Sequence, residues 1–164
     1  MQNSINIRNA TMKDAQALFL IETACLPPNQ AASLETLSNR LSAYPQHFWL
    51  IEENGIVVGF VNGMVTNYDT VKDEMFRNTQ MHDENGAWQS VFGLAVSPDY
   101  QNMGYAGKLL QHLFFACSKQ KRKGIVLTCE EHLINYYFKF GFINMGISES
   151  VHGGDVFFDM KKEL

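Results

Sequence analysis

A chain of 164 residues with 46% hydrophobic and 18% charged side chains is long enough to bury a core and reads as one globular domain, 1–164. Its net charge of −4 argues against a dedicated nucleic-acid binder, which needs clustered Lys and Arg along a phosphate backbone. Three cysteines without CxxC spacing (Cys25, Cys117, Cys129) fit reduced thiols in a cytoplasmic protein, and no apolar run reaches the ~20 residues of a membrane span.

In chain order, "SINIRNA" (4–10) alternates isoleucine with polar residues and predicts a strand. Thr11 and Asp14 are placed to cap a helix carrying Ala15, Leu18, Phe19 and Ala24, which Pro27 and Pro28 end. Ser33 caps a second helix with Leu34, Leu37 and Leu41 inward. Within "HFWLIEENGIVVGFVNGMVT" (47–66), two strand-like runs flank Asn54-Gly55, a pair that favours a type I′ hairpin. The polar stretch 68–86 predicts an excursion with one helical turn. A strand over 88–97 follows, then a helix over 104–121 whose basic end, "SKQKRKG", suits a helix C-terminus. "GIVLTCE" predicts a strand, "EHLINYYFKFG" a helix, and "FINMGIS" and "DVFFDMKKE" two closing strands. The sum is an α/β fold: a mixed sheet of about seven strands flanked by about four helices, with the glycine-rich turn after 88–97 at the sheet's ligand-collecting edge.

That turn, "QNMGYAGKLL" (101–110), packs two glycines into the start of a helix, where unpaired N–H groups and a partial positive charge attract phosphate. It is no P-loop: Lys108 is followed by Leu109, so no hydroxyl is placed for magnesium, and no metal is expected. The spacing of a dinucleotide fingerprint is missing as well. What remains is QxxGxA after "LAV". "GLAVSPDYQNMGYAGKLL" resembles the acetyl-CoA-binding motif of the GNAT superfamily of N-acetyltransferases, and "NYYFKFGF" (135–142) resembles that family's C-terminal signature. "CEEHLINYYFKFGF" and "GDVFFDM" are most similar to the arylalkylamine branch.

The resemblance implies a site. Leu94, Ala95 and Val96 would offer main-chain N–H and C=O groups to pantetheine amides, on a strand that splays from its parallel neighbour. Gln101, Asn102, Met103, Gly104, Tyr105, Ala106, Gly107 and Lys108 would wrap the pyrophosphate. Tyr137 would protonate the departing thiolate, a role open to a phenol of pKa about 10 facing a thiol of about 8.5. The branch's two histidines correspond here to Ser90 and Phe92, so neither can act as general base. His82, Asp83 and Glu84 precede that strand, Glu130 and His132 would line the same edge, and all five read first as solvated surface. The expected activity is acetyl transfer from acetyl-CoA to a small primary amine by direct attack. A protein N-terminal or lysine acetyltransferase is the alternative enzyme, and a catalytically silent acetyl-CoA sensor the alternative of another class. No membrane or nucleic-acid partner is expected, and an exposed final strand would be the element to pair two chains as a homodimer.

Overall fold

A computed structural model describes residues 4–151 and 154–164. The chain forms two compact units, one from Met1–Asn62 with Gly93–Leu113 and the other from Gly63–Phe92 with Phe114–Leu164. Among the described residues, no helix is long and apolar enough to cross a membrane. All three cysteines are free thiols.

In the first unit, strands β1 (Ile5–Asn9), β2 (Phe48–Glu53), β3 (Ile56–Asn62) and β6 (Gly93–Val96) form an antiparallel sheet in the order β1-β2-β3-β6. The β2–β3 hairpin turns at Asn54 (φ 52°) and Gly55 (φ 82°), the left-handed pair that the sequence predicts. Helices α1 (Ala15–Cys25) and α2 (Leu34–Ala43) cover one face. Leu18, Ile21, Leu37 and Leu41 pack there with Phe48, Leu50, Phe60 and Ala95. Each such side chain contributes about 1.5–3 kcal/mol by leaving water. The alternate residues of β2 are buried as well: Trp49 meets His112 edge-on at 6.4 Å, so the first half of helix α3 (Tyr105–Lys119) covers the other face. Ser33 caps α2 through Thr36 N–H, as expected. Asp14 accepts the Thr11 N–H, but the cap opens a 3₁₀ turn before α1 begins. The two Arg8 nitrogens bond the two oxygens of Asp14, tying β1 to that turn and holding the Asp14 carboxyl below its usual range.

In the second unit, β4 (Val65–Thr66), β5 (Trp88–Val91), β7 (Gly124–Cys129), β8 (Ile143–Ile147) and β9 (Phe158–Glu163) run in the order β4-β5-β7-β9-β8. Among the described residues of this unit, only β5 and β7 pair in parallel. Helix α4 (Ile134–Phe138) follows a 3₁₀ turn at Glu131–Leu133 and is shorter than its predicted span. Phe142 sits beneath it, fully buried against Phe114 and Tyr137.

Four expectations change. The single strand over 88–97 is two, β5 and β6, in different sheets, so the parallel neighbour of β7 is β5 and not the strand holding "LAV". The second hairpin run divides likewise into β3 and β4, so the expected mixed α/β fold holds, with nine strands in two sheets among the described residues where one sheet of about seven was expected. The 68–86 excursion holds two 3₁₀ turns, Asp73–Phe76 and Thr79–Met81, where one helical turn was expected. The final strand is interior, with β7 and β9 paired on one side and β8 and β9 on the other; the edge belongs to β8. It therefore offers no free edge to a second chain.

Both strand breaks fall at one place. A Cβ on Gly63 would lie 1.9 Å from the Ser90 carbonyl oxygen and 2.5 Å from its carbon. The two runs cross so closely there that only hydrogen fits. The buried amide of Gln89 donates to the Gly63 and Ser90 carbonyls at 2.8 Å each, and the Ser90 hydroxyl donates to the Met64 carbonyl at 2.7 Å. Gly63→Ala should therefore cost roughly 3 kcal/mol, read as a urea midpoint shift, by forcing backbone apart. Gly55→Ala, in open space but at φ 82°, should cost only about 1 kcal/mol. Equal losses would contradict the close crossing.

Candidate functional site

The Ser97 N–H donates to the Val58 carbonyl at 2.8 Å, which fixes the parity of β6. Gly93, Ala95 and Ser97 thus face β3, and Leu94 and Val96 turn their N–H and C=O groups to the outer side of the sheet's last strand. Of the three residues expected to present backbone groups, Leu94 and Val96 do so and Ala95 does not. The outward Val96 carbonyl accepts the Cys25 thiol at 3.1 Å and the Gln101 side-chain amide at 2.9 Å. Burial and the neighbouring Glu22 raise the Cys25 pKa, which keeps that thiol a donor.

After β6, Pro98–Tyr100 makes one 3₁₀ turn and the chain reaches the glycine run. Asn102 (φ 63°) and Gly104 (φ 83°) are both left-handed. A Cβ on Gly104 would meet nothing within 4 Å, so φ is what calls for glycine there. Gly107 lies inside α3 without a positive φ, so conformation does not demand it. The first α3 backbone bond runs from Lys108 N–H to the Gly104 carbonyl at 3.0 Å. The N–H groups of Gly104, Tyr105, Ala106 and Gly107 therefore have no acceptor inside the helix, and they carry its positive dipole end. Residues 101–104 and Lys108 are exposed. Tyr105 is buried, its hydroxyl donating to Glu53 at 2.9 Å, so it anchors the helix to β2. Leu94, Val96 and 101–108 thus belong to one unit as a run of N–H donors outside the sheet and helix ladders, exposed at 101–104 and Lys108, a shape suited to a phosphate chain.

At the start of β6, a polar cluster lies under the surface. Glu22, Arg40 and Asn62 are 4%, 3% and 1% exposed. Arg40 donates to Asn62 Oδ1 at 3.2 Å, and Glu22 accepts the Ala32 N–H at 2.8 Å. A Cβ on Gly93 would stand 3.3 Å from Asn62 Nδ2 and 3.6 Å from Glu22 Oε1. Burial lowers the Arg40 pKa, and Tyr44 and Glu22 offset part of that. Neither this cluster nor the contact of Cys25 with Val96 is signalled in the sequence, where the partners are far apart.

Tyr137 belongs to the second unit. It is buried between Phe142 (ring centroids 5.7 Å) and Tyr136 (5.3 Å). Burial first, then Cys129 and Tyr136, raise its pKa well above that of a free phenol. Tyr136, its neighbour in the helix, is partly exposed. Ser90 is buried with its hydroxyl on Met64, and Phe92 stacks on Phe76 at 5.0 Å. His82 accepts the Val65 N–H at Nδ1 (3.1 Å) and contacts Glu84 at Nε2 (3.0 Å). Glu84 also holds Arg122 at 3.1 Å. His82 is thus tied into the fold, whereas Glu84, although paired with His82 and Arg122, keeps 59% of its side chain exposed, as a solvated surface residue would. Asp83 accepts the Asn85 N–H at 2.9 Å. Glu130 and His132, 3.7 Å apart, line a cavity of about 610 Å³ with Glu131, Asp155, Val156 and Phe158.

Residues 45–144 match the family model described as "Acetyltransferase (GNAT) domain". A curated relative from Bacillus subtilis (strain 168), "Uncharacterized N-acetyltransferase YkwB", is 22% identical over 130 residues, covering 73% of this chain and 57% of its own length. The chain thus spans little more than half of that relative. Among solved structures, the loading GNATL domain of CurA from Lyngbya majuscula superposes with a TM-score of 0.83 at 16% identity, covering 98% of both chains. Arabidopsis thaliana Naa50, in complex with the bisubstrate analogue CoA-Ac-MVNAL, superposes with a TM-score of 0.74 at 21% identity, covering 98% of this chain and 99% of its own.

The raised pKa of Tyr137 has a measurable consequence. The phenol stays neutral in the folded chain while an unfolded tyrosine ionises near pH ~10, so its contribution is full below that pH and falls as pH rises further. Tyr137→Phe should flatten the loss of urea stability between about pH 10 and 11, and a slope identical to wild type would contradict the burial of the hydroxyl.

Proposed function

Because the chain belongs to the GNAT acetyltransferase domain family, we propose that it transfers an acetyl group from acetyl-CoA to a small primary amine. The observation that carries this reading is the array of outward backbone groups on β6 followed by the left-handed turn into α3. Amides along a pantetheine arm can pair with Leu94 and Val96 as an added strand would. The pyrophosphate can then take the free N–H groups of 104–107, with Gln101, Asn102 and Met103 shaping the approach and Lys108 adding charge.

Chemistry proceeds by direct attack. The neutral amine adds to the thioester carbonyl, the tetrahedral intermediate collapses, and the C–S bond breaks with the pair of electrons on sulfur. Tyr137 gives that thiolate its proton. A phenol is fully protonated at neutral pH, so it carries the proton that the role needs. Ser90 and Phe92 offer no general base, and proton loss from the amine is left to water. An alkylammonium of pKa ~10.4 is about 0.1% neutral at pH 7.4, a deficit of roughly 4 kcal/mol. Arylalkylamines head the candidate acceptors on the strength of the C-terminal motifs.

The test is acetyl-CoA turnover against arylalkylamines, polyamines, amino acids and peptide N-termini, followed by kcat/KM against pH for two active amines of different basicity. The rate should rise about tenfold per pH unit through pH 8–9, displaced between the amines by their pKa difference, and Tyr137→Phe should lower it by ~10²-fold. A plateau above pH 7 shared by both amines would reveal a base on the enzyme. Preference for peptide N-termini would move the acceptor to protein, and coenzyme binding without turnover on any amine would leave a sensor.

A further inference from the structure

We infer that Asn62 is a catalytic residue of the proposed transfer: its side-chain amide donates to the thioester carbonyl oxygen of acetyl-CoA, in a slot that Gly93 leaves open. The inference rests on the coenzyme reading above. Every residue it involves belongs to the first unit. Asn62 ends β3 and pairs with Gly93, the first residue of β6. Two residues after Phe60, its side chain points to the same face, which α1 and α2 cover. Arg40 offers donors only, so its 3.2 Å bond fixes Oδ1 as the accepting side of the amide and turns Nδ2 toward Gly93. Asn62 is 1% exposed, and Nδ2 has no acceptor among the described residues. A buried donor without an acceptor is costly, and one held in place by a neighbour calls for a ligand that supplies the acceptor. A Cβ on Gly93 would stand 3.3 Å from Nδ2, 3.4 Å from Phe60 and 3.6 Å from Glu22 Oε1, and Gly93 is itself partly exposed. The absent side chain leaves room there for a ligand atom within hydrogen-bond reach of Nδ2.

Chain direction brings the reacting end of the coenzyme to this slot. The glycine turn follows Val96, so a pyrophosphate on the N–H groups of 104–107 sends its pantetheine arm back past Val96 and then Leu94. Gly93 comes next, and there the thioester arrives. Attack by the neutral amine forms the C–N bond and moves the carbonyl π pair onto oxygen, leaving oxygen negative and nitrogen positive. Asn62 Nδ2 donates to that oxygen without giving up its proton, and the Arg40 cation on the other side of the amide strengthens the donor. The Glu22 carboxylate faces the positive nitrogen from the same slot, and the nitrogen's proton goes to water as above. When the C–S bond breaks, its pair leaves on sulfur and the C=O bond is restored. The Asn62 bond is therefore strongest while the oxygen is charged, which is the condition for raising kcat.

The test uses the full chain with its asparagine side chains labelled with nitrogen-15. Acetyl-CoA should move the Asn62 N–H resonances downfield, whereas coenzyme A, which lacks the carbonyl, should leave them in place. Asn62→Asp keeps the shape and the Arg40 contact and, at pH 8, removes the donor. Its kcat should fall about 10²-fold, with the KM of the amine and the Kd for coenzyme A within about threefold of wild type. Resonances that respond alike to both coenzymes, or to neither while both bind, overturn the inference without recourse to a variant. So does an Asn62→Asp chain that keeps its kcat, or one whose loss of kcat comes with an equal loss of coenzyme A affinity, which describes a merely structural residue. A wild-type chain that binds neither coenzyme overturns the reading beneath the inference as well, and that control tells the two failures apart.

Discussion

One hydrogen atom governs much of this fold. At Gly63 the chain passes 1.9 Å (measured to where a Cβ would stand) from the Ser90 carbonyl, and this crossing is where the run from β3 becomes β4. Its partner run changes sheets within two residues, from Val91 in β5 to Gly93 in β6. Both strands could have continued straight only if the two backbones stood further apart. β6 is the last strand of its sheet. An edge strand normally invites pairing with another chain. Here the edge is four residues long, and one of its two outward carbonyls is already filled by side chains. Those two features blunt it toward another protein and leave it open to something as narrow as a ligand.

The surroundings of that edge show a division of labour among hydrogen-bonding groups. Those that hold the fold are buried and paired: Gln89 and Ser90 at the crossing, Arg40 and Asn62 at the start of β6, Tyr105 on Glu53. Those suited to a ligand are backbone N–H groups outside the sheet and helix ladders. Backbone donors are fixed by the dihedrals of Asn102 and Gly104 and lose no side-chain entropy on binding.

Local features of the fold were legible in the sequence because their causes are local. Asn54-Gly55 announces a turn that needs two positive φ angles, Ser33 announces a cap, and the spacing of Gly104 to the apolar run announces the start of α3. The breaks at Phe92 and Gly63 were not legible, since "WQSVFGLAV" reads as one unbroken strand and two glycines near a strand do not say which will touch a distant carbonyl. The interior place of β9 was missed for a similar reason: alternation reports two faces of a strand and is silent about its edges. The motif could not foresee that Ala95 turns inward, which depends on register with β3. Nor could it find Cys25, which lies 71 residues from the carbonyl it bonds.

The central claim is that Leu94 and Val96 present their backbone to acetyl-CoA and Ala95 does not. Residue-resolved amide hydrogen exchange, with and without saturating acetyl-CoA, tests it directly. The Leu94 and Val96 amides are expected to exchange faster than Ala95 in the free chain and to slow by tenfold or more on addition of acetyl-CoA, with Ala95 slow in both states. Exchange at Leu94 and Val96 that acetyl-CoA leaves unchanged would contradict the claim.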